Sequence, residues 1–142
     1  VKAYLDTSVI IPLLTLDAHT FRARQFLIDI EPILWISDFA AAEFASVIAR
    51  RVRTGIITER DARQIFQTFD TWVANHAQRI DLEPGDAALA QSYIRRLDLT
   101  LLAPDALHIA LAHRAGATLL TFDNKMAASA LALGLKIADT TP

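Results

Sequence analysis

Short apolar runs alternate with longer amphipathic stretches from one end of this chain to the other. The run Ala3-Tyr4-Leu5 stops at Asp6, residues 33–36 stop at Ser37-Asp38, residues 79–82 form a weaker third run, and residues 118–122 stop at Asp123. Brief, nearly continuous apolar runs of this kind read as strands of a buried parallel sheet. Residues 8–14, 19–30 and 39–53 between them have helical spacing or composition, and Thr54-Gly55 ends the last of these with a left-handed stop. Thr58, with Asp61 three residues on, forms a variant capping box for a helix running through Phe66, Phe69, Trp72 and Val73. Pro84 and Pro104 open helices reaching about Leu97 and Ala115, each proline at a tolerated first-turn position. Gly116 stops the second of these, residues 126–133 are helical up to Gly134, and residues 135–137 can supply a short final edge strand.

Alternating strands and helices predict an α/β fold, a three-layer α/β/α sandwich around a central, mostly parallel sheet of about five strands. Periodicity does not give the strand order. Asp6 and Asp123 would nevertheless meet if their strands were neighbours at a switch point, where open α/β sheets bind ligands.

Composition narrows the class. A chain of 142 residues with no linker-like stretch predicts one domain over 1–142, and 53% hydrophobic with 21% charged residues is a globular balance. Charges interrupt every apolar run well before the ~18 residues of a membrane span, so a soluble protein is expected, with no membrane partner. The start resembles no secretory signal, and beginning at Val1 leaves a processed or trimmed start open. The lack of cysteine excludes disulfides and thiolate metal sites, and cytoplasmic localisation is the default expectation. The net charge of −2 neither favours nor forbids a nucleic-acid partner. Arg50, Arg51 and Arg53 are the densest basic cluster, placed where they suit either phosphate or the negative end of a helix.

Four carboxylates carry the candidate chemistry. Asp6 could cap the helix that follows it. Glu43 has Phe39, Ala40, Ser46 and Val47 three and four residues away on a helix, none of them basic, so it needs a cation, a donor or water. Asp105 follows Pro104 in a first helical turn, where the macrodipole favours an acid with or without a function, and Asp123 precedes a helix it could cap. His108 lies within an apolar segment and reads first as a packing histidine, with proton acceptance or orientation of Asp105 as the alternative. Together the four acids would repel one another unless hard cations intervened. An all-carboxylate set suits Mg²⁺ or Mn²⁺ rather than zinc, and such a site suits metal-assisted phosphodiester cleavage.

Tyr4-Leu5-Asp6-Thr7-Ser8-Val9, Ala42-Glu43-Phe44, Pro104-Asp105-Ala106-Leu107-His108-Ile109-Ala110 and Thr121-Phe122-Asp123 together resemble the PIN-domain nucleases, and within them the small VapC-type toxins of bacterial toxin-antitoxin pairs. The pieces occur in the family's order and cover essentially the whole chain. The resemblance implies a PIN-like nuclease domain with Asp6, Glu43 and Asp105 as the main catalytic and metal-binding acids, Asp123 as a less regular fourth, and Thr7 or Ser8 as polar helpers. It also implies an Mg²⁺- or Mn²⁺-dependent endoribonuclease with RNA as substrate, self-association as a homodimer or higher homo-oligomer, and neutralisation by a cognate antitoxin.

Three other classes compete with this one. A nonenzymatic PIN-like RNA- or protein-binding module could keep the fold without turnover. An aspartyl-nucleophile phosphatase would want a second acid two residues after Asp6, where Ser8 stands. A phosphate-receiving signalling domain lacks a clear acceptor at mid-chain, since the third run ends near Asp81. Trp35 and the aromatic helix with Phe66, Phe69 and Trp72 read as core by default, or as a surface for another copy or an antitoxin segment.

Overall fold

The computed structural model describes residues 1–139. Its elements run β1 (Lys2–Leu5), α1 (Thr7–Leu14), α2 (Thr20–Ile30), β2 (Ile33–Ser37), α3 (Asp38–Arg53), α4 (Glu59–His76), β3 (Ala77–Ile80), α5 (Pro84–Ile94), α6 (Ala103–Ala115), β4 (Thr118–Leu120) and α7 (Asn124–Ala132). The strands form one sheet in the order β3-β2-β1-β4, and every neighbouring pair is parallel. The chain builds outward from β1 through β2 to β3, then returns to place β4 on the other side of β1. The switch point therefore falls between β1 and β4, where Leu5 lies opposite Leu120.

Side chains of a strand alternate between faces, and β1 shows how this splits the core. Ala3 and Leu5 pack with α1, α2, α3 and α4 on one side, while Tyr4 joins Ile109, Leu111, Leu119 and Met126 on the other. Helix α5 packs on α6 as an outer layer through Ala90, Ala106 and Ala110. Both sheet faces are thus covered, which is why the strands carry so few polar residues. Leu5, Ile10, Ile36 and Ile48 are fully buried, each contributing about 1.5–3 kcal/mol of hydrophobic stabilisation.

Three expected boundaries move for physical reasons. The third strand lies two residues earlier than 79–82, because the Leu82 amide donates to Asp38 Oδ1 at 2.8 Å instead of joining the ladder. Helix α5 stops at Ile94 rather than near Leu97, which takes the left-handed conformation at φ 67°. The expected fifth strand at 135–137 is reduced to one parallel bridge, Leu119 with Ile137, leaving four strands among the described residues. Gly134 at φ 86° turns the chain back along β4, but β4 is only three residues long and offers a single pairing position.

Candidate functional site

Asp6 stands where β1 gives way to α1, yet its side chain does not cap the helix. Its Oδ1 accepts a hydrogen bond from Ser8 Oγ at 2.7 Å and its Oδ2 one from Thr121 Oγ1 at 2.8 Å. Ser8 Oγ in turn accepts from the Phe122 amide at 2.9 Å, and Thr121 Oγ1 from the Asp123 amide at 3.0 Å. The carboxyl ends of β1 and β4 are therefore stitched together through one carboxylate. That carboxylate is only 2% exposed. Burial pushes its pKa above the usual aspartate range, Asp123 nearby adds to the rise, and the bonds from Ser8 and Thr121 with the influence of His108 offset only part of it.

Glu43 projects from α3, and its Oε1 accepts from Thr7 Oγ1 at 2.7 Å and from His108 Nε2. Its side chain keeps 30% exposure, so it sits at the rim rather than in the core. Burial alone would raise its pKa, but the bonds from His108 and Thr7 outweigh that and hold it below the ordinary glutamate value. His108 reaches Glu43 from α6 while buried between Tyr4 and Phe39, with ring centroids 5.8 and 5.0 Å away.

Asp105 lies in the first turn of α6, and burial together with Asp123 and Glu43 raises its pKa. Asp123 caps α7, its Oδ1 accepting from the amides of Lys125 and Met126 at 2.9 and 3.1 Å. The capping alternative is thus realised at Asp123 and not at Asp6. The electrostatic couplings link Asp6 with Asp123, and Asp105 with both Asp123 and Glu43.

This donor set consists of oxygens alone. Among the described residues, no three His, Asp or Glu side chains stand close enough together, as placed, to hold a metal ion between them. Mg²⁺ is bound through one or two carboxylates while it retains several waters, so an open group of acids, Asp6 and Asp105 with raised pKa values among them, fits it. A surface cleft of about 430 Å³, lined by Lys2, His113, Thr118 and Lys136 among others, opens at the other end of β1 and β4 and includes none of the four acids. Ligands of open α/β sheets bind at the carboxyl ends, where Asp6 lies.

Three participants were not assigned from sequence. Thr121 had a visible signal, a hydroxyl between Leu120 and Phe122 in an apolar run. His108 serves Glu43 rather than Asp105, a contact spanning 65 residues that linear spacing cannot report. Tyr4, whose hydroxyl lies 2.7 Å from His108 Nδ1, looked like a plain strand residue.

Residues 3–132 match the family model described as PIN domain. Among solved structures, a sarcin-ricin-loop-cleaving VapC toxin of Mycobacterium tuberculosis is 18% identical, with a TM-score of 0.72 over 89% of this chain and 94% of the relative. The VapBC complex of Rickettsia felis on a promoter DNA fragment gives 16% identity and 0.74 over 97% and 98%. The DNA-bound VapBC complex of Salmonella typhimurium gives 14% and 0.71 over 99% of each chain. No curated protein matches the chain by sequence.

Proposed function

The chain belongs to the PIN domain family, and from that premise we propose that it is a metal-dependent endoribonuclease, the toxin of a type II toxin-antitoxin pair. The observation that carries the reading is the set of acids at the β1–β4 switch point: Asp6 and Asp105 are both held above the usual aspartate range by burial, with Asp123 and Glu43 close enough to act on them. Such a pocket favours a cation. PIN-domain nucleases use divalent metal ions, and here Asp6, Glu43, Asp105 and Asp123 would hold Mg²⁺, with Mn²⁺ as a substitute. When bound, such an ion makes water acidic enough to attack at neutral pH and offsets charge on the scissile phosphate.

The chain's own residues do the positioning. Ser8 and Thr121 fix Asp6 through one hydrogen bond to each oxygen, and Thr7, the first residue of α1, fixes Glu43 on α3. Hydrolysis adds water across a phosphodiester P–O bond, with the proton passing to the leaving oxygen. The phosphatase alternative wants a second acid two residues after Asp6, where Ser8 stands and donates to Asp6 Oδ1. RNA as substrate draws support from the Mycobacterium relative that cleaves the sarcin-ricin loop, and a cognate antitoxin from the VapBC complexes. The proposal includes self-association and action in the cytoplasm. Among the described residues no helix is long and apolar enough to cross a membrane.

Digestion of total RNA with and without Mg²⁺, comparing wild type with Asp6→Asn and mapping cleavage sites by sequencing, tests the reading. The expected result is metal-dependent cleavage that falls by orders of magnitude in Asp6→Asn while RNA binding persists. Equal cleavage by both proteins, or none by wild type with Mg²⁺ or Mn²⁺, would overturn it.

A further inference from the structure

A chain of buried hydrogen bonds runs from the start of α3 through the sheet to Glu43. The Ala40 amide donates to Ser37 Oγ at 2.9 Å, Ser37 Oγ lies 2.8 Å from the Tyr4 hydroxyl, and the Tyr4 hydroxyl lies 2.7 Å from His108 Nδ1. His108 Nε2 then meets Glu43 Oε1. Ser37 and Tyr4 are wholly buried and His108 nearly so, which leaves no water to satisfy them. An amide can only donate, so Ser37 Oγ accepts from Ala40, and the acceptor that the structure offers the Ser37 proton is the Tyr4 oxygen, which sets the direction of the rest. Ser37 accepts from Ala40 and gives its own proton to the Tyr4 oxygen, Tyr4 gives its proton to Nδ1, and the ring proton stands on Nε2, aimed at Glu43. Reversing the series would strip the buried Ser37 hydroxyl proton of the acceptor that Tyr4 provides.

We propose that Tyr4 and His108 are positioning residues for Glu43, locking the Nε2–H tautomer of His108 so that Oε1 is held and Oε2 is presented to a divalent ion. The inference rests on the reading of Glu43 as a metal ligand. Two donors, Thr7 and His108, converge on the same oxygen of Glu43, so the carboxylate is fixed in rotation with its second oxygen left for the pocket. The arrangement also joins elements that carry separate acids. Tyr4 sits on β1 two residues before Asp6, His108 on α6 three residues after Asp105, and Ser37 caps the helix that bears Glu43. A shift in any of these elements would misalign Glu43 with respect to the others.

The test uses the full chain. Long-range ¹⁵N spectra of metal-free wild type, with the His108 ring assigned by its loss in His108→Gln, report the tautomer directly. The expected form is Nε2–H. Titration with Mn²⁺ alone then compares variants whose folding is checked by melting. Tyr4→Phe and His108→Leu should weaken Mn²⁺ binding by about 10–100-fold, as loss of outer partners of a metal ligand does. His108→Gln should recover most of the loss, because its side-chain nitrogen occupies the place of Nε2. An Nδ1–H ring in the wild type overturns the inference even if no variant folds. Unchanged Mn²⁺ affinity in folded Tyr4→Phe and His108→Leu, or a His108→Gln protein as impaired as His108→Leu, overturns it as well. Failure of wild type to bind Mn²⁺ instead removes the metal reading of the whole pocket, an outcome separate from the tautomer result.

Discussion

Burial strips a carboxylate of its hydration, and at Asp6 two hydroxyl bonds offset only part of that cost, so its pKa is raised. Because its folded pKa is raised above the usual 3.8, the folded state holds the proton more tightly than the unfolded chain does. Without metal, stability should therefore fall as pH rises from about 3.9 through the raised folded value, with Asp105 acting in the same direction. Glu43 acts in the opposite sense: its lowered pKa contributes stability above the usual 4.5 that is lost as pH falls through the folded value. Asp6→Asn removes the first effect while keeping the shape, since the Ser8 and Thr121 hydroxyls can turn to suit an amide. In chelator, Asp6→Asn should melt above wild type at neutral pH, and the gap should close as pH falls toward about 4. Melting curves at stepped pH check this, and a gap of constant size would show that Asp6 is not the titrating group. The place of Asp6 was legible because an apolar run ends there. Its partner Thr121 was not, since only the β1–β4 pairing brings them together.

Local signals marked the ends of elements well because capping is settled within a few residues. The Thr58–Asp61 box is formed at 3.1 Å in both directions, and Gly116 ends α6 in the left-handed conformation at φ 63°. What lies between elements was hidden. Phe69 of the aromatic helix stacks on Phe44 of α3 with centroids 4.7 Å apart and is buried, while Phe66 and Trp72 are partly buried against the same cluster. The aromatic face of α4 thus serves the core first, and only the outer parts of Phe66 and Trp72 remain for another chain. Helices α5 and α6 are tied by Arg114, whose Nε and Nη2 donate to the two oxygens of buried Asp86 at 2.8 and 2.9 Å. Burial would raise the Asp86 pKa, but Arg114 and the Glu83 amide outweigh it and hold it below 3.8. Its contribution is accordingly present above about 3.9 and lost as pH falls through the lower folded value. Asp86→Asn should cost about 2 kcal/mol at neutral pH, since Arg114 keeps Glu83 at 3.5 Å but loses its two charge-assisted bonds to Asp86, and the deficit should shrink in acid. Urea unfolding at pH 7 and near pH 3 measures both values, and an equal deficit at both would assign the loss to packing alone.

At the scale of the whole molecule, the parallel sheet and its two covered faces followed from the alternation of runs and helices. The order β3-β2-β1-β4 did not, because periodicity records which face a residue takes and not which strand lies beside it. That order matters for function, since it alone sets Asp6 beside Thr121 and Asp123. It also leaves β3 at one edge of the sheet and β4, covered by a single bridge, at the other. With Phe66 and Trp72 only partly covered, self-association is expected, and light scattering across the micromolar range tests it: a strict monomer would remove that part of the proposal. Metal binding should be the larger global effect. An ion that binds only the folded chain stabilises it by about 2.7 kcal/mol at one hundred times its dissociation constant, a rise of roughly 5–10 °C for a domain of this size. Millimolar Mg²⁺ or Mn²⁺ should therefore raise the melting temperature of wild type by several degrees and that of Asp6→Asn by much less. Since Asp6 and Asp105 hold protons more tightly than ordinary aspartates, binding should also release protons, more of them in mild acid than at neutral pH. Calorimetry in buffers of different ionisation enthalpy counts those protons. A wild-type melting temperature indifferent to both ions, with no proton released, would mean that the acids at the switch point repel one another without a cation to receive.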